Sequence, residues 1–262
     1  MAGLSEPAAT GPRSDDAKVV VDGVSKVYES ERQHVRALSG VNFSVADGEF
    51  VCLVGPSGCG KTTLFRTIAG LEAATDGEIR LDGNPVTGPG TDRGMVFQEY
   101  GLFPWRTVRE NVAFGLEEQD VPEPERSRRI EEMLGLVGLA EFADAYPKEL
   151  SGGMKQRVGI ARALAVDPEI LLADEPFGSV DAQTRDMLHE ELLRIWSETE
   201  KTVLFVTHDV EEAVKLSDRV VVMAADPGRV NEIVDVDLDR PRERTDSAFA
   251  DYVERIRDLI GE

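Results

Sequence analysis

Hydrophobic positions in the first hundred residues recur with the spacing of strands. Residues 18–28, Lys-Val-Val-Val-Asp-Gly-Val-Ser-Lys-Val-Tyr, are rich in β-branched side chains and predict a strand pair or one bent strand. Runs at 37–46 and 49–54 flank Asp47-Gly48, a hairpin turn signal, so an antiparallel β layer is expected to lead up to residue 54. Phe50-Val51-Cys52-Leu53-Val54 is apolar and β-prone, as a buried strand should be. Leu64, Ile68 and Leu71 then fall at i, i+4 and i+7, a helical stripe. Short strands are expected at 78–81 and 94–97, with a loop over 84–93 between them.

The pattern changes over 99–166, where helical spacing replaces strand spacing. Ile130, Met133, Leu134 and Val137 stand at i, i+3, i+4 and i+7. Leu150-Ser151-Gly152-Gly153 interrupts this and opens a new helix with Val158, Ala161 and Leu164–Ala165 on its apolar face. Strand and helix then alternate: 169–173, 183–199, 202–207, 210–217 and 219–224, with a final strand at 229–236. This order predicts an α/β core with a mostly parallel sheet, an antiparallel β layer and an inserted α-helical subdomain. Residues 240–262 read as an arginine-rich linker and a short helix carrying Phe249, Val253, Ile256 and Ile260. Residues 1–17, rich in Ala, Gly, Pro and Ser with no apolar h-region, are expected to be a disordered leader.

One stretch gives this frame its chemistry. Residues 55–62, Gly-Pro-Ser-Gly-Cys-Gly-Lys-Thr, match G-x-x-x-x-G-K-[ST] between a buried strand and a helix start, the context a phosphate-binding loop needs. Its glycines let backbone N–H groups turn inward, and the following helix adds its free N–H groups and positive dipole end. Lys61 can reach β- and γ-phosphates, and the Thr62 hydroxyl can ligate Mg²⁺.

Composition narrows the partners. Fifty Asp and Glu oppose 29 Lys and Arg, a net charge of −21, which disfavours a nucleic-acid backbone as ligand. Only seven of those cations are Lys and 22 are Arg. Dense acid with few lysines suggests the surface of a protein from a high-salt cytoplasm, where screening makes such charge tolerable. Cys52 and Cys59 lack metal-ligand spacing and read as reduced thiols. His34, His189 and His208 form no cluster in sequence. No stretch approaches the roughly 18 apolar residues of a membrane span.

Further polar residues fall where a nucleotide site would need them. Asp174 closes the apolar run Ile170-Leu171-Leu172-Ala173, at the sheet edge where the loop lies, and would hold Mg²⁺. Glu175, next in sequence, is the expected general base. His208 ends the next strand and could bond a γ-phosphate oxygen; Gln98, also at a strand end, could touch Mg²⁺ or the attacking water. Tyr28 ends the first run, either as ordinary β packing or as a stacking partner for a purine. Ser151-Gly152-Gly153 before a helix is a second anion-binding N-terminus or simply a cap. One nucleotide needs one cradle, so a second on the inserted subdomain suggests service to another copy.

Taken together, Tyr28, 55–62, Gln98, Leu-Ser-Gly-Gly-Met-Lys-Gln-Arg at 150–157, Ile-Leu-Leu-Ala-Asp-Glu-Pro at 170–176, Ser179-Val180-Asp181 and His208 resemble the ATP-binding subunit of an ABC transporter over about residues 18–236. The resemblance implies a P-loop, RecA-like fold with the helical subdomain at about 99–166. It implies ATP and Mg²⁺, held by Tyr28, Gly55, Pro56, Ser57, Gly58, Cys59, Gly60, Lys61, Thr62 and Thr63. Ser151, Gly152, Gly153 and Gln156 would act on the nucleotide of a second copy. Metal contacts would come from Thr62, Gln98 and Asp174, and catalysis from Glu175, His208 and Gln98. It implies a head-to-tail homodimer around two ATP, a membrane permease docked under the helical subdomain, a solute-binding protein in the complex and a place on the cytoplasmic face of the membrane. Gly101-Leu102-Phe103-Pro104-Trp105, Pro227-Gly228-Arg229 and Arg240-Pro241-Arg242 resemble the nitrate/sulfonate/taurine importer branch. Ser179-Val180 and Ala173 are small departures from the usual pattern. Two other readings stay open: an ABC-type regulator acting on nucleic acid or ribosomes, against which the charge argues, and a monomeric P-loop kinase or NTPase, which leaves 150–157 without a task.

Overall fold

The computed structural model describes residues 17–30, 33–97, 101–178 and 180–261. Residues 1–16 of the expected leader, Gln98 and Ser179 lie outside the described residues; Ala17, counted in that leader, begins a strand. Strands β1 (Ala17–Ser30) and β2 (Gln33–Ala46) pair antiparallel, with register shifts that bend β1 as one continuous strand. Asp47-Gly48 does not close a hairpin, contrary to the sequence expectation. Strand β3 (Phe50–Val54) leaves the antiparallel layer because all five of its residues are buried and need cover on both faces. The crossing is pinned from the far side: Gly48 donates its N–H to Thr202 Oγ1 at 3.0 Å and accepts the Trp196 indole N–H at 3.2 Å.

Helix α1 (Lys61–Ile68) follows. It stops a turn earlier than the apolar stripe suggests, and Leu71 is exposed. Gly70 is left-handed (φ 74°), and a Cβ there would sit 2.1 Å from the Gly88 carbonyl oxygen, so the chain turns away under β4 (Asp76–Leu81) and β5 (Asn84–Pro85). These complete the antiparallel sheet, in the order β2-β1-β4-β5.

After β6 (Arg93–Phe97) come helices α2 (Val108–Glu118), α3 (Glu123–Leu136) and α4 (Gly152–Ala165), the inserted subdomain. Thr107 opens α2 with a capping box closed by Glu110. Buried Asn111 on α2 accepts from the Phe103 N–H and donates to the carbonyls of Phe103, Arg106 and Thr107, which fixes the loop carrying Trp105. The core resumes with β7 (Ile170–Asp174), α5 (Ala182–Thr199), β8 (Thr202–Val206), α6 (Val210–Leu216), β9 (Arg219–Ala224), β10 (Arg229–Asp235) and α7 (Ser247–Ile260).

The second sheet has the order β10-β9-β3-β8-β7-β6, parallel except for β10 at one edge. Its strands alternate between two cores. Phe50, Cys52, Phe205 and Val220 face a cluster with the helical subdomain, α5, α6 and α7. Val51, Leu53, Leu204 and Val221 face a cluster with α1 and the antiparallel sheet. Continuous apolar runs are what two covered faces require. Among the described residues, no helix is long and apolar enough to cross a membrane.

Residues 240–242 are not a loose linker. Arg242 is buried, and its guanidinium donates to the carbonyls of Leu238, Val214, Ser217 and Val236 at 2.6–3.1 Å. Val214 and Ser217 are at the C-terminal end of α6, where backbone carbonyls lack helical partners. Burial pushes the Arg242 pKa down to about 10. Arg240 lies over the Trp196 ring, 4.7 Å from its centroid, and donates to Asp218 at 2.7 Å. Arg242→Ala leaves these carbonyls unpaired inside the protein and is expected to cost about 2–4 kcal/mol of unfolding free energy, measured by guanidinium denaturation.

Candidate nucleotide-binding site

The parallel strands end together. Phe97, Asp174 and Val206 are register partners across β6, β7 and β8, and Leu53 pairs with Val206 across β3 and β8. The residues that follow β3, β7 and β8 therefore emerge along one edge of the sheet, the C-terminal edge where ligands bind in open α/β sheets. Gln98, next after β6, lies outside the described residues.

The loop after β3 forms a cleft of about 370 Å³ lined by Ser57, Gly58, Gly60, Lys61, Thr62 and Thr63, with Glu175 on its far wall. Gly60 caps α1 in the left-handed region. Lys61 is held within the curve of the loop: its ammonium donates to the carbonyls of Gly55 at 2.6 Å and Pro56 at 3.2 Å. Gly55 and Cys59 are buried behind this surface, and burial pushes the Cys59 thiol up despite the adjacent Lys61. Both cysteines are free. The Tyr28 hydroxyl bonds Glu72 and lies 3.4 Å from Thr63 Oγ1, so β1 delivers an aromatic ring to the first turn of α1.

Asp174 and Glu175 are adjacent in sequence but differently placed. Burial raises the Asp174 pKa and the Glu175 charge raises it further, while Arg66 and Lys61 oppose the shift. Glu175 has a left-handed backbone (φ 43°), an uncommon conformation for a residue with a side chain. Its N–H donates to the Val206 carbonyl at 2.9 Å, and its Oε2 is 3.0 Å from His208 Nδ1. Glu175 and His208 are thus in direct contact at the strand ends.

The Ser151-Gly152-Gly153 start of α4 lies in a separate cleft that shares no lining residue with the first. It is lined by Ser151, Gly153, Met154, Arg157, Thr184 and Met187, among others. Ser151 acts as the helix cap, its Oγ accepting the Met154 N–H at 3.3 Å. Asp181 caps α5, which forms the other wall. Gln156 does not join the site residues it was grouped with: it is buried, and neither amide atom has a hydrogen-bond partner among the described residues. At that position on α4 the side chain turns inward, away from Ser151 and Gly153.

Sequence reasoning missed two parts of the loop cleft. Val35, Arg36 and Ala37 on β2 line it, because β2 starts four residues before its expected bound. Asp226, Pro227 and Gly228 also line it. A Cβ on Gly228 would meet the Cys59 carbonyl oxygen at 2.2 Å, and Gly228 exchanges backbone hydrogen bonds with Ala37 and Ser39. The Pro-Gly pair before β10 was the available signal; nothing in sequence placed it against residue 59.

Comparison with known proteins decides the family. Residues 38–178, just over half of the chain, match the ABC transporter family. The chain belongs to the ABC transporter family. This ABC ATPase is 55% identical to an uncharacterized ABC transporter ATP-binding protein of Methanocaldococcus jannaschii, over 93% of this chain and 91% of that protein. It is 48% identical to a nitrate import ATP-binding protein of Synechocystis sp. (92% of this chain, 94% of that protein). Its fold resembles cbiO1 of Clostridium perfringens, part of the ABC transporter complex cbiONQ, with a TM-score of 0.78, 28% identity and coverage of 93% and 95%. It also resembles a dimeric ATP-binding cassette in a post-hydrolysis state bound to ADP and Pi, with a TM-score of 0.73, 34% identity and coverage of 84% and 100%.

The raised Asp174 pKa makes a prediction for the ABC ATPase without divalent cation. An acid whose folded pKa lies above its unfolded value disfavours folding once it is ionised, and the penalty disappears as pH falls through the folded pKa. Asp174→Asn is therefore expected to melt above the wild type at pH 7, with the gap shrinking toward about pH 4. Calorimetry across that range checks it.

Proposed function

We propose that the chain is the motor subunit of an importer for a small solute such as nitrate, a sulfonate or taurine. Two copies would close head to tail on two ATP. The observation that carries this reading is the pair of separate clefts, each built on a glycine-containing helix start. The 55–63 loop cradles phosphate, while the Ser151–Gly153 cleft has no nucleotide of its own to serve within the chain. A second copy turned about a two-fold axis brings the Ser151–Gly153 face of each copy onto the nucleotide of the other. Asp181, capping the α5 wall of that cleft, then lies at the junction.

Within each site Tyr28 stacks on the purine, Lys61 and the loop N–H groups hold the phosphates, and Thr62 and Asp174 would hold Mg²⁺, with Gln98. One hydroxyl and one carboxylate beside bound phosphates is a donor set that suits this ion, which keeps waters and seldom uses an all-protein cage. Mg²⁺, when bound, neutralises charge on the β- and γ-phosphates. Glu175 takes a proton from the attacking water, and His208 bonds the γ-phosphate while holding the Glu175 carboxylate through Nδ1. The 45–55% identity to ATP-binding proteins that include nitrate and aliphatic sulfonate importers supports the solute class. Exposed Phe97, at the end of β6, and exposed Trp105, on the loop that Asn111 holds beside the helical subdomain, form the surface for a permease on the cytoplasmic face, with a solute-binding protein on the other side.

Glu175→Gln is expected to bind ATP with Mg²⁺, hydrolyse it at least about 100-fold more slowly, and run as a dimer by light scattering. A monomer under those conditions overturns the two-copy reading. The acid excess supports a high-salt host: even Lys18 is shared between Asp82 at 2.9 Å and Glu169 at 2.5 Å. Melting temperature is expected to rise from low salt to about 1 M KCl, where the Debye length is about 3 Å. An unchanged or lower value excludes that host.

A further inference from the structure

Helix α5 carries a residue that none of the site motifs includes. His189 is completely buried. Its Nε2 lies 2.7 Å from Oε1 of Glu212, itself buried at the start of α6. The Glu212 carboxylate accepts from the imidazole N–H. The His189 ring stands edge-on to Phe177, with centroids 5.3 Å apart.

Those two partners follow directly on the reacting groups: Phe177 lies in the turn that carries Glu175, and Glu212 lies in the first turn of α6, just after the turn that carries His208. Phe177 is two residues beyond Glu175, and Glu212 is four residues beyond His208. Both turns leave neighbouring strands, β7 and β8, and across them Glu175 touches His208. The same small cleft is lined by Glu175, Phe177, His208 and Glu212. One turn earlier on the same face of α5, Arg185 repeats the connection: it donates to the Val180 carbonyl at 3.1 Å and lies 3.5 Å from Asp209. The α5 face is therefore a brace between the two turns, with His189 as its buried member. A packing histidine would need neither a carboxylate partner nor contacts to both turns. Burying Glu212 beside the site is costly unless its partner is present.

We propose that His189 is a positioning residue for ATP hydrolysis: through Phe177 and Glu212 it fixes the separation of Glu175 and His208. The inference rests on the reading of Glu175 and His208 as the hydrolytic pair. His189 touches no substrate; it acts by holding the pair in place, where misplacement by about 1 Å can cost about 100-fold in rate.

The test measures kcat and KM for ATP, and melting temperature, on the full-length chain. His189→Leu is expected to lower kcat about 10- to 100-fold with KM for ATP changed less than about 3-fold. His189→Gln, whose amide can donate to Glu212, is expected to recover most of that loss. The double variant His189→Leu/Glu212→Leu removes the orphaned charge, so it should regain melting temperature while kcat stays low. Recovery of kcat together with stability in the double variant overturns the inference, since His189 would then serve folding alone. So does a wild-type kcat in His189→Leu. Glu175→Gln run alongside separates the two claims: if it hydrolyses ATP at the wild-type rate, the site reading itself has failed.

Discussion

The structure depends on the common register of four parallel strands. β3, β6, β7 and β8 terminate within one residue of each other along the ladder, because Phe97, Asp174, Val206 and Leu53 are paired across it. β3, β7 and β8 are buried and apolar on both faces, so none of them can slip by one residue without exchanging its two buried sets between the two cores. That constraint brings three polar strand-end segments, after β3, β7 and β8, from distant parts of the chain to one edge. The phosphate loop, the Asp174-Glu175 turn and the Thr207-His208 turn form one surface only because their strands cannot move relative to one another.

Charged groups meet at that edge. Lys61 is tucked against loop carbonyls, Asp174 is disfavoured as an anion by burial and by Glu175, and Glu175 holds a backbone conformation uncommon for its type. Elsewhere, the buried charged groups are closely partnered. Arg242 satisfies four carbonyls, and Glu212 has His189. At the strand edge the partners are other members of the site: Lys61 lies on the loop carbonyls and Glu175 on His208, as suits groups set for a charged substrate.

The inserted helices have a different relation to the core. Their cleft at Ser151–Gly153 is walled by α5, the same helix whose other face braces the Glu175 and His208 turns. α5 thus has one face on the surface proposed to meet a second copy and another on the proposed hydrolytic pair. A shift of its capped end at Asp181 would be felt by both turns, since packed elements move as units.

The phosphate loop, the acid-bearing strand and the alternation of strand and helix were legible in sequence, because each rests on local spacing: a glycine pattern, an apolar run closed by Asp174, or a helical stripe. Family membership was legible for the same reason, several short motifs in fixed order. Tertiary structure decided what local spacing cannot hold. Asp47-Gly48 carries the signal of a hairpin, yet the chain crosses between sheets there because β3 needs cover on two faces. Leu71 fits the α1 stripe but is exposed, since Gly70 packs against the Gly88 carbonyl. Arg240 and Arg242 read in sequence as part of an arginine-rich linker, and packing anchors them on Trp196 and the end of α6. Gln156 sits in the most diagnostic motif and points into the core. Sequence determines which residues can do the chemistry; packing across long separations determines which of them meet.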